Sequence, residues 1–397
     1  MELRNNKDNY MGITILKLGW EFPPNNWGGL GVACYGIIKG LTKNDVKVIL
    51  VLPNKQKSIL KNCKVIHAKS VNKDQNSENI YKNLYTNLFR RIRLYAKSCQ
   101  DIVKKEKFDI IHAHDWLTFS AAIGLKKITG KPLVVHIHST EIDRQGYKNR
   151  NKKIFDIEKT GMQSADKVFA VSEYTKKRII KYYKIASDKI EVTHNAISSK
   201  NIKKDSIDVD KKVYLEKLKS SKKKKVLFLG RLTFQKGPEY FIKAAKKVLE
   251  FRDDIEFIVA GDGDMKNKLV KQTCRLGISK NVVFTGFLKG HLVDEVYKLS
   301  DVYVMPSLCE PFGLAPLESI RNGTPVIVSK NAGVCEVIKS CLKINFSDID
   351  QIAKKILKLI DSPDLHQNMT IEGIKEVRKL TWVKAVQKYI KVYKKLI

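Results

Sequence analysis

Two successive series of short apolar segments, each alternating with helical stretches, constrain the fold of this chain most strongly. The first series of predicted strands lies at 13–18, 46–52, 64–68, 108–113, 133–137, 167–172 and 190–194. The second series lies at 225–230, 256–261, 282–286, 301–306 and 325–329. Strands that alternate with helices form parallel sheets covered by helices. The sequence therefore predicts an α/β protein with two Rossmann-like, doubly wound domains.

A polar, lysine-rich stretch separates the two series. It covers residues 198–224 and runs into four consecutive lysines at 222–225. We predict an N-terminal domain over 1–197, a basic connection over 198–224, a C-terminal domain over 225–380 and a final helix within 381–397. The length of 397 residues suits two domains, since single domains usually hold about 100–200 residues.

The segment MPSLCEPFGLAPLE at 305–318 reads as a strand end, a turn and a helix start. Glu310 falls in the predicted turn, and Glu318 falls about one turn into the predicted helix. The backbone N–H groups of Gly313 and Leu314 would lie at a helix N-terminus, which favours anions such as phosphate. Carboxylates can bind sugar hydroxyls, and neighbouring backbone amides can bind phosphate. The combination would suit a sugar joined to a diphosphate. Two ordinary surface glutamates would show the same spacing.

Glycines punctuate both predicted domains where a strand passes into a helix. Gly28, Gly29 and Gly31 precede or open a helix predicted over 32–41. A glycine-rich turn between strand and helix is typical of mononucleotide-binding units, because the backbone can approach a phosphate closely. Gly261 and Gly263, in the word AGDGD, predict a second tight turn close to the nucleotide.

Two His-x-His pairs end two neighbouring predicted strands, His112 with His114 and His136 with His138, and Asp115 follows the first pair. Ligands bind at the carboxyl ends of parallel strands in such sheets. Alternate strand residues face the same way, so each pair also admits a metal site. The carboxylates that a hydrolytic metal centre needs are not placed with them. We therefore expect no metal, and packed structural roles for His112 and His136.

The second predicted domain opens with GRLTFQKG at 230–237. Arg231 and Lys236 straddle a predicted strand end and helix start. Two fixed cations at that position could hold a diphosphate and neutralise it as it leaves. In such a basic chain, they could also be ordinary surface cations.

These words resemble those of a known enzyme family. Glu310 and Glu318, with seven residues between them, resemble the paired glutamates of retaining glycosyltransferases of family 4, also called group 1. The segment at 322–338 resembles the element that closes the nucleotide site in that family. GWEFPP, GGLG and HAHDW resemble glycogen and starch synthases, whereas HSTEIDR resembles their family 4 relatives. One departure concerns the lysine that usually precedes GGLG in glycogen synthases, because Asn25, Asn26 and Trp27 stand there.

The resemblance implies the GT-B fold, in which two Rossmann-like domains face each other across a cleft. It implies that the last helix packs back on the first domain. It also implies that His138 lies against the donor sugar at the cleft floor, with Asp115 nearby, and that Gly28, Gly29 and Gly31 approach the donor.

The resemblance further implies a mechanism for a nucleotide-diphosphate sugar. Arg231, Lys236 and the amides at Gly313–Leu314 would stabilise the leaving diphosphate without a metal ion. Glu310 would orient sugar hydroxyls, and Glu318 would bind the ribose. The acceptor would attack on the face from which the phosphate departs, and the phosphate would take its proton. No protein nucleophile is expected.

The predicted reaction is elongation of an α-1,4-glucan from ADP-glucose or UDP-glucose, with Trp27 and Trp116 available to stack on sugar rings or, alternatively, to pack in the core. A family 4 transferase acting on a lipid or surface-polysaccharide acceptor is the alternative with the same fold. A phosphorylase and a non-catalytic nucleotide-sugar-binding protein are further alternatives.

The net charge of +34 admits nucleic acid, an anionic membrane surface or anionic substrates as partners. A lysine-rich, AT-biased genome would produce the same charge. No RNA-binding aromatic motif or zinc finger accompanies it, so no nucleic-acid partner is expected, whereas a peripheral membrane contact stays open. The seven scattered cysteines, the lack of any CxxC and the polar N-terminus predict a cytoplasmic protein with free thiols.

Overall fold

Two parallel sheets organise the protein in a computed structural model that describes residues 12–23, 28–55, 60–68, 85–198, 215–216 and 218–397. The first sheet has seven strands in the order β3-β2-β1-β4-β5-β6-β7. They are β1 Thr14–Leu18, β2 Lys47–Leu52, β3 Cys63–His67, β4 Ile110–His114, β5 Leu133–Ile137, β6 Lys167–Ala170 and β7 Ile190–Val192. The second sheet has six strands in the order β10-β9-β8-β11-β12-β13. They are β8 Lys224–Leu229, β9 Ile255–Ala260, β10 Val282–Gly286, β11 Val302–Met305, β12 Val326–Ser329 and β13 Leu342–Ile344.

Helices connect the strands and cover the sheets. In the N-terminal half they are α1 Gly29–Thr42, α2 Tyr85–Val103, α3 Trp116–Thr129, α4 Glu141–Gln145, α5 Lys152–Ser164 and α6 Glu173–Arg178. In the C-terminal half they are α7 Pro238–Leu249, α8 Lys266–Arg275, α9 His291–Leu299, α10 Leu314–Arg321, α11 Ile349–Asp361, α12 Pro363–Lys379 and α13 Trp382–Leu396. Short 3₁₀ turns at Phe234–Lys236 and Gly333–Glu336 lie at the inner side of the second sheet.

The predicted fold class is confirmed, and each predicted strand is present with ends shifted by two residues or fewer. The agreement has a physical cause. Parallel strands covered on both faces are buried throughout, and they therefore read as continuous apolar runs. Strand β4 is buried along its whole length, and so is β5. The strand β13 was not predicted. The sequence also predicts a helix within 70–107, and the part of that range up to residue 84 lies outside the described residues.

Both sheets have the strand order in which a crevice opens beside the first strand. In the first sheet, β1 pairs with β2 on one side and with β4 on the other. In the second sheet, β8 pairs with β9 and β11 in the same manner. The loops after β1 and β4, and those after β8 and β11, therefore border the two crevices. Ten of the thirteen predicted site residues lie in these loops or in the helices that follow them, whereas His138 follows β5, and Gly261 and Gly263 follow β9.

The last helix, α13, returns to the first domain. Trp382 lies so close to α1 that a Cβ added to Gly36 would be 2.1 Å from its ring. Tyr389 and Tyr393 are fully buried in a cluster with Ile37 of α1. Ile197, at the end of the first domain, forms an isolated parallel β-bridge with Thr381, which directly precedes α13.

The basic connection is described only in part, since 199–214 and 217 lie outside the described residues. Leu215 and Leu218 are buried against the second sheet, so this part of the connection is anchored by apolar contacts. All seven cysteines are free thiols. Within the described ranges, no helix is both long and apolar enough to cross a membrane.

Candidate active site

The glycine-rich loop of the first domain faces the second domain at α10. A Cβ added to Gly29 would lie 3.8 Å from Leu314 Cδ1. Gly28 precedes α1 with an extended backbone and no side-chain cap, and Gly31 is buried in the first turn. The N-termini of α1 and α10 therefore approach each other across the cleft, and both favour an anion. Asn25, Asn26 and Trp27 lie outside the described residues.

Lys236 and Glu310 form an ion pair at the edge of the second crevice, with Lys236 Nζ donating to Glu310 Oε2. The side chain of Glu310 is 8% exposed and that of Lys236 is 22% exposed. Ser307 Oγ also donates to Glu310 Oε2, at 3.4 Å. The ion pair therefore joins the loop after β8 to the loop after β11, as expected for two groups that share one ligand.

Gly313 starts α10 with φ 98, a backbone conformation that side chains rarely adopt. A Cβ at this position would also lie 3.1 Å from Glu310 Cγ. No side chain caps the helix at this end, so no side-chain acceptor occupies the first amides of α10. Gly313, Leu314, Glu310 and Lys236 are therefore brought together as predicted.

Side chains of the first domain hold the loop that carries Glu310. Ser172 Oγ and Thr175 Oγ1 donate to the carbonyl oxygen of Pro311, at 2.5 and 3.2 Å. On the other flank of Glu310, Cys309 Sγ donates to Asp143 Oδ1 at 3.2 Å. Burial raises the pKa of the Cys309 thiol, which keeps it protonated as a donor. The position of Glu310 thus depends on both domains.

Glu318 lies on α10 beside the second sheet. Burial raises the pKa of its carboxyl, and nearby Arg321 partly offsets the effect.

Arg231 is partly exposed in the loop after β8. Gly261 has φ 143 and a Cβ there would lie 1.9 Å from Gly230 O. A Cβ on Gly263 would lie 2.5 Å from Leu232 O. These two glycines therefore let their turn pack directly against the loop that carries Arg231.

His138 and Asp115 meet at the floor of the first crevice. Asp115 Oδ1 accepts a hydrogen bond from the backbone N–H of His138 at 2.7 Å, and His138 Nε2 lies 2.8 Å from His114 Nδ1. Burial, together with nearby Lys17, lowers the pKa of His138 to about 3. Burial raises the pKa of Asp115 to about 7. A neutral His138 can bind a sugar hydroxyl, while Asp115 acts on it by fixing its backbone.

Asp115 also has a strained backbone, with φ 53 at the junction between β4 and α3. Positive φ at a residue other than glycine is uncommon and costs energy of order 1–3 kcal/mol. The carboxylate that fixes His138 is thus held at a sharp turn, as is common at functional sites.

Trp116 is 7% exposed and packs against Phe89 with ring centroids 5.9 Å apart. The packing alternative is therefore the correct one for this residue, and the stacking platform predicted for it is wrong. Trp116 directly follows the polar residues His114 and Asp115, so its local sequence does not indicate burial. Its packing partner, Phe89, comes from α2.

Sequence reasoning missed two groups of charged residues. Arg144 of α4 contacts Glu141 and Glu158, and both carboxylates are almost fully buried. Glu336 accepts hydrogen bonds from the backbone N–H groups of Glu173 and Tyr174 at the start of α6. Both groups lie within words that carry the family resemblance, HSTEIDR and the 322–338 segment, which was the available signal.

Comparison with known proteins gives two family matches. The model of the glycosyl transferases group 1 matches residues 210–376. The model of Glycosyltransferase Family 4 matches residues 27–200. Together they span both Rossmann-like halves.

Similar proteins include an uncharacterized glycosyltransferase of Methanocaldococcus jannaschii, 30% identical over 399 residues, covering 96% of this chain and 98% of the relative. The Escherichia coli UDP-Gal:α-D-GlcNAc-diphosphoundecaprenol α-1,3-galactosyltransferase is 26% identical, covering 88% of this chain and 93% of that enzyme. Glycogen synthase of Mycobacterium tuberculosis is 24% identical, with coverage of 64% and 61%. Among solved structures, sucrose-phosphate synthase of Thermosynechococcus elongatus superposes with a TM-score of 0.78 at 18% identity, covering 97% of this chain and 99% of that one.

Proposed function

Since the chain belongs to the group 1 glycosyltransferases and has the GT-B fold, we propose that it transfers a hexose from a nucleotide-diphosphate sugar to a glycan acceptor, with retention at the anomeric carbon. The observation that carries this proposal is the cluster of Lys236, Glu310 and the uncapped N-terminus of α10. It combines a cation, a carboxylate and free amides within one crevice.

In this proposal each group has one task. Lys236, Arg231 and the amides of Gly313 and Leu314 bind the diphosphate and stabilise the charge that grows on it as the bond to the anomeric carbon breaks. Glu310 accepts hydrogen bonds from sugar hydroxyls. In the free protein Lys236 and Glu310 neutralise each other, so neither charge is buried without a partner before the donor arrives.

Bond making and breaking occur on one face of the sugar. The anomeric carbon loses its bond to the phosphate oxygen and gains a bond to the acceptor oxygen, whose proton passes to the departing phosphate. His138 is neutral and binds a sugar hydroxyl at the floor of the first crevice. Glu318 binds the ribose, and the glycines at 28, 29 and 31 admit the donor closely. The chemical step as proposed needs neither a protein nucleophile nor a metal ion.

The acceptor has two candidates. Elongation of an α-glucan from ADP-glucose or UDP-glucose is supported by the words GWEFPP, GGLG and HAHDW and by the likeness to glycogen synthase. Trp116 is buried and therefore cannot stack on a sugar ring of the glucan. Trp27, the other tryptophan considered for that role, lies outside the described residues.

A lipid-linked glycan is the second candidate. The Escherichia coli galactosyltransferase, which is named for a diphosphoundecaprenol-linked sugar substrate, matches this chain over most of its length. The net charge of +34 favours an anionic acceptor or membrane surface over a neutral glucan. Peripheral contact with an anionic membrane is part of this second candidate only.

A pair of experiments tests the proposal. A thermal-shift screen with ADP-, UDP- and GDP-sugars identifies the donor, because a ligand of the native state raises the apparent melting temperature. The identified sugar, radiolabelled, is then supplied with maltooligosaccharide, glycogen or a diphospholipid-linked sugar. Incorporation into the glucan supports the first candidate, and incorporation into the lipid supports the second. Donor binding without transfer to any acceptor would favour a binding protein instead.

We also propose a cytoplasmic location, which the seven free thiols support. Thiol titration under denaturing, non-reducing conditions should find all seven cysteines, and loss of two or more in fresh protein would contradict that location.

A further inference from the structure

Three histidines form a closed triangle beneath the floor of the first crevice. His112 and His114 alternate along β4, and His136 is the direct neighbour of His114 on β5. All three side chains are buried, with exposed fractions of 1% or less. They lie on the sheet face that α1 and α13 cover, since His112 contacts Tyr393 of α13.

Four imidazole nitrogens of these residues have no hydrogen-bond partner among the described residues. They are His112 Nε2, His114 Nε2 and both ring nitrogens of His136. Buried polar atoms are nearly always paired, and an unpaired one costs about 1–3 kcal/mol. Four such atoms in one cluster therefore call for a partner that is neither backbone nor side chain.

The bonds that are made leave the inner nitrogens available. Tyr393 Oη lies 2.7 Å from His112 Nδ1, and His138 Nε2 lies 2.8 Å from His114 Nδ1. In each case one ring nitrogen has a neighbour and Nε2 remains. Histidines that bind metals usually have this arrangement, in which the second nitrogen is held by another group.

Two of the three distances between the rings match those of imidazoles on one shared ion, and the third is longer. The ring centroids are 4.5 Å apart for His112–His114, 5.6 Å for His112–His136 and 5.2 Å for His114–His136. Imidazoles bound at about 2.0–2.1 Å to one tetrahedral or octahedral ion have centroids roughly 4.5–5.2 Å apart. One nitrogen from each ring already lies within 4.8 Å of the others, so modest side-chain rotations would bring the three together.

We propose that His112, His114 and His136 form a structural binding site for one borderline divalent ion of the Zn²⁺ type. The ion links β4 to β5. It also holds the ring of His114, which lies against His138. The site is not a hydrolytic metal centre, for which nearby carboxylates would be needed. Its ion would stabilise the fold and take no part in the chemical step.

A second possible ligand set consists of Cys34, His114 and His138. It is the weaker one, because burial raises the pKa of the Cys34 thiol to about 12, and metals bind the thiolate. His138 Nε2 also already contacts His114. The triad of histidines therefore accounts for the unpaired atoms, and the cysteine set does not.

The test uses the full chain without a polyhistidine tag, expressed in medium with added Zn²⁺ and then dialysed against a chelator that removes surface-bound ions. We expect about one Zn²⁺ per chain, and a melting temperature several degrees above that of protein refolded without metal. Refolding with Co²⁺ should give visible d–d absorption without a thiolate charge-transfer band. Protein with no retained ion and no metal-dependent melting shift would overturn the proposal.

Variants make the test specific. His136→Phe should fold, since the pocket already contains Phe169 5.8 Å from the His136 ring. It should lose the ion and the metal-dependent shift, yet melt no lower than metal-free wild type, because two unpaired buried nitrogens are gone. Cys34→Ser and the surface variant His291→Asn should keep the ion. Retention of one ion in His136→Phe, or its loss in Cys34→Ser, would overturn the assignment to the three histidines.

Discussion

Lys236 and Glu310 meet across the second crevice although 74 residues separate them along the chain. The pair joins the loops after β8 and β11, at the strand ends where a parallel sheet binds ligands. Because each charge has the other as its partner, neither charge lacks a counter-charge. When a donor binds, Lys236 would exchange Glu310 for a phosphate, and Glu310 would exchange Lys236 for sugar hydroxyls.

The first prediction concerns this pair. Glu310→Gln and Lys236→Ala should each lower kcat by at least about 100-fold, the scale for losing one electrostatic contact to a transition state. Steady-state kinetics with the identified donor would measure it. Lys268→Ala is the matched control, since Lys268 forms an exposed ion pair with Glu239 at 3.0 Å and should leave kcat within about two-fold. Near-normal turnover in either cleft variant would remove that residue from the site.

The second prediction separates the roles of Glu318. Glu318→Ala should raise the KM for the donor more than it lowers kcat, because a ribose contact is made in the ground state and in the transition state alike. A larger effect on kcat would mean that Glu310 and Glu318 have been assigned in reverse.

The third prediction concerns stability at the same residue. Burial raises the pKa of Glu318 in the folded state, so ionisation of this carboxyl opposes folding at neutral pH. Glu318→Gln should therefore melt higher than wild type at pH 7–8. The difference should shrink as pH falls toward the usual value of about 4.3, where the carboxyl is protonated in both states. Differential scanning calorimetry across this range would measure it, and a constant difference would contradict the assigned cause.

The fourth prediction concerns the contact between Glu336 and α6. Burial alone would raise the pKa of Glu336, but hydrogen bonds from His194 and from the N–H groups of Glu173 and Tyr174 outweigh it and lower the pKa. A lowered pKa contributes stability above the unfolded value of about 4.3, and that contribution is lost as pH falls through the folded pKa. Glu336→Gln should therefore melt lower than wild type at pH 7, and the two should converge in acid. Equal melting temperatures of Glu336→Gln and wild type at pH 7 would mean that the contacts of Glu336 with α6 do not stabilise the protein.

Local patterns explain why much of this molecule could be predicted. The strands β4 and β5 are buried on both faces, so their residues are apolar except for His112, His114 and His136. The motifs that follow these strands fall at one edge of the sheet. Contacts between the halves could not be predicted in the same way. Cys309 meets Asp143 across 166 residues, and no spacing in the sequence encodes a pair that depends on how two separately folded sheets face each other. The burial of Trp116 was hidden for another reason, since its packing partner, Phe89 of α2, belongs to the same domain but is distant in the sequence.

The fifth prediction tests the return of α13 to the first domain with two glycines that both lie inside helices. A Cβ on Gly36 of α1 would fall 2.1 Å from the Trp382 ring, whereas a Cβ on Gly124 of α3 would find its nearest neighbour, Gln100 Nε2, at 3.5 Å. Alanine in place of a helical glycine normally stabilises by about 0.5–1 kcal/mol. Gly124→Ala should follow that rule. Gly36→Ala should instead lower stability by about 1–3 kcal/mol, the usual cost of overpacking, because the buried Trp382 ring must move. Chemical denaturation measures both, and stabilisation by Gly36→Ala would show that α13 is not held tightly against α1.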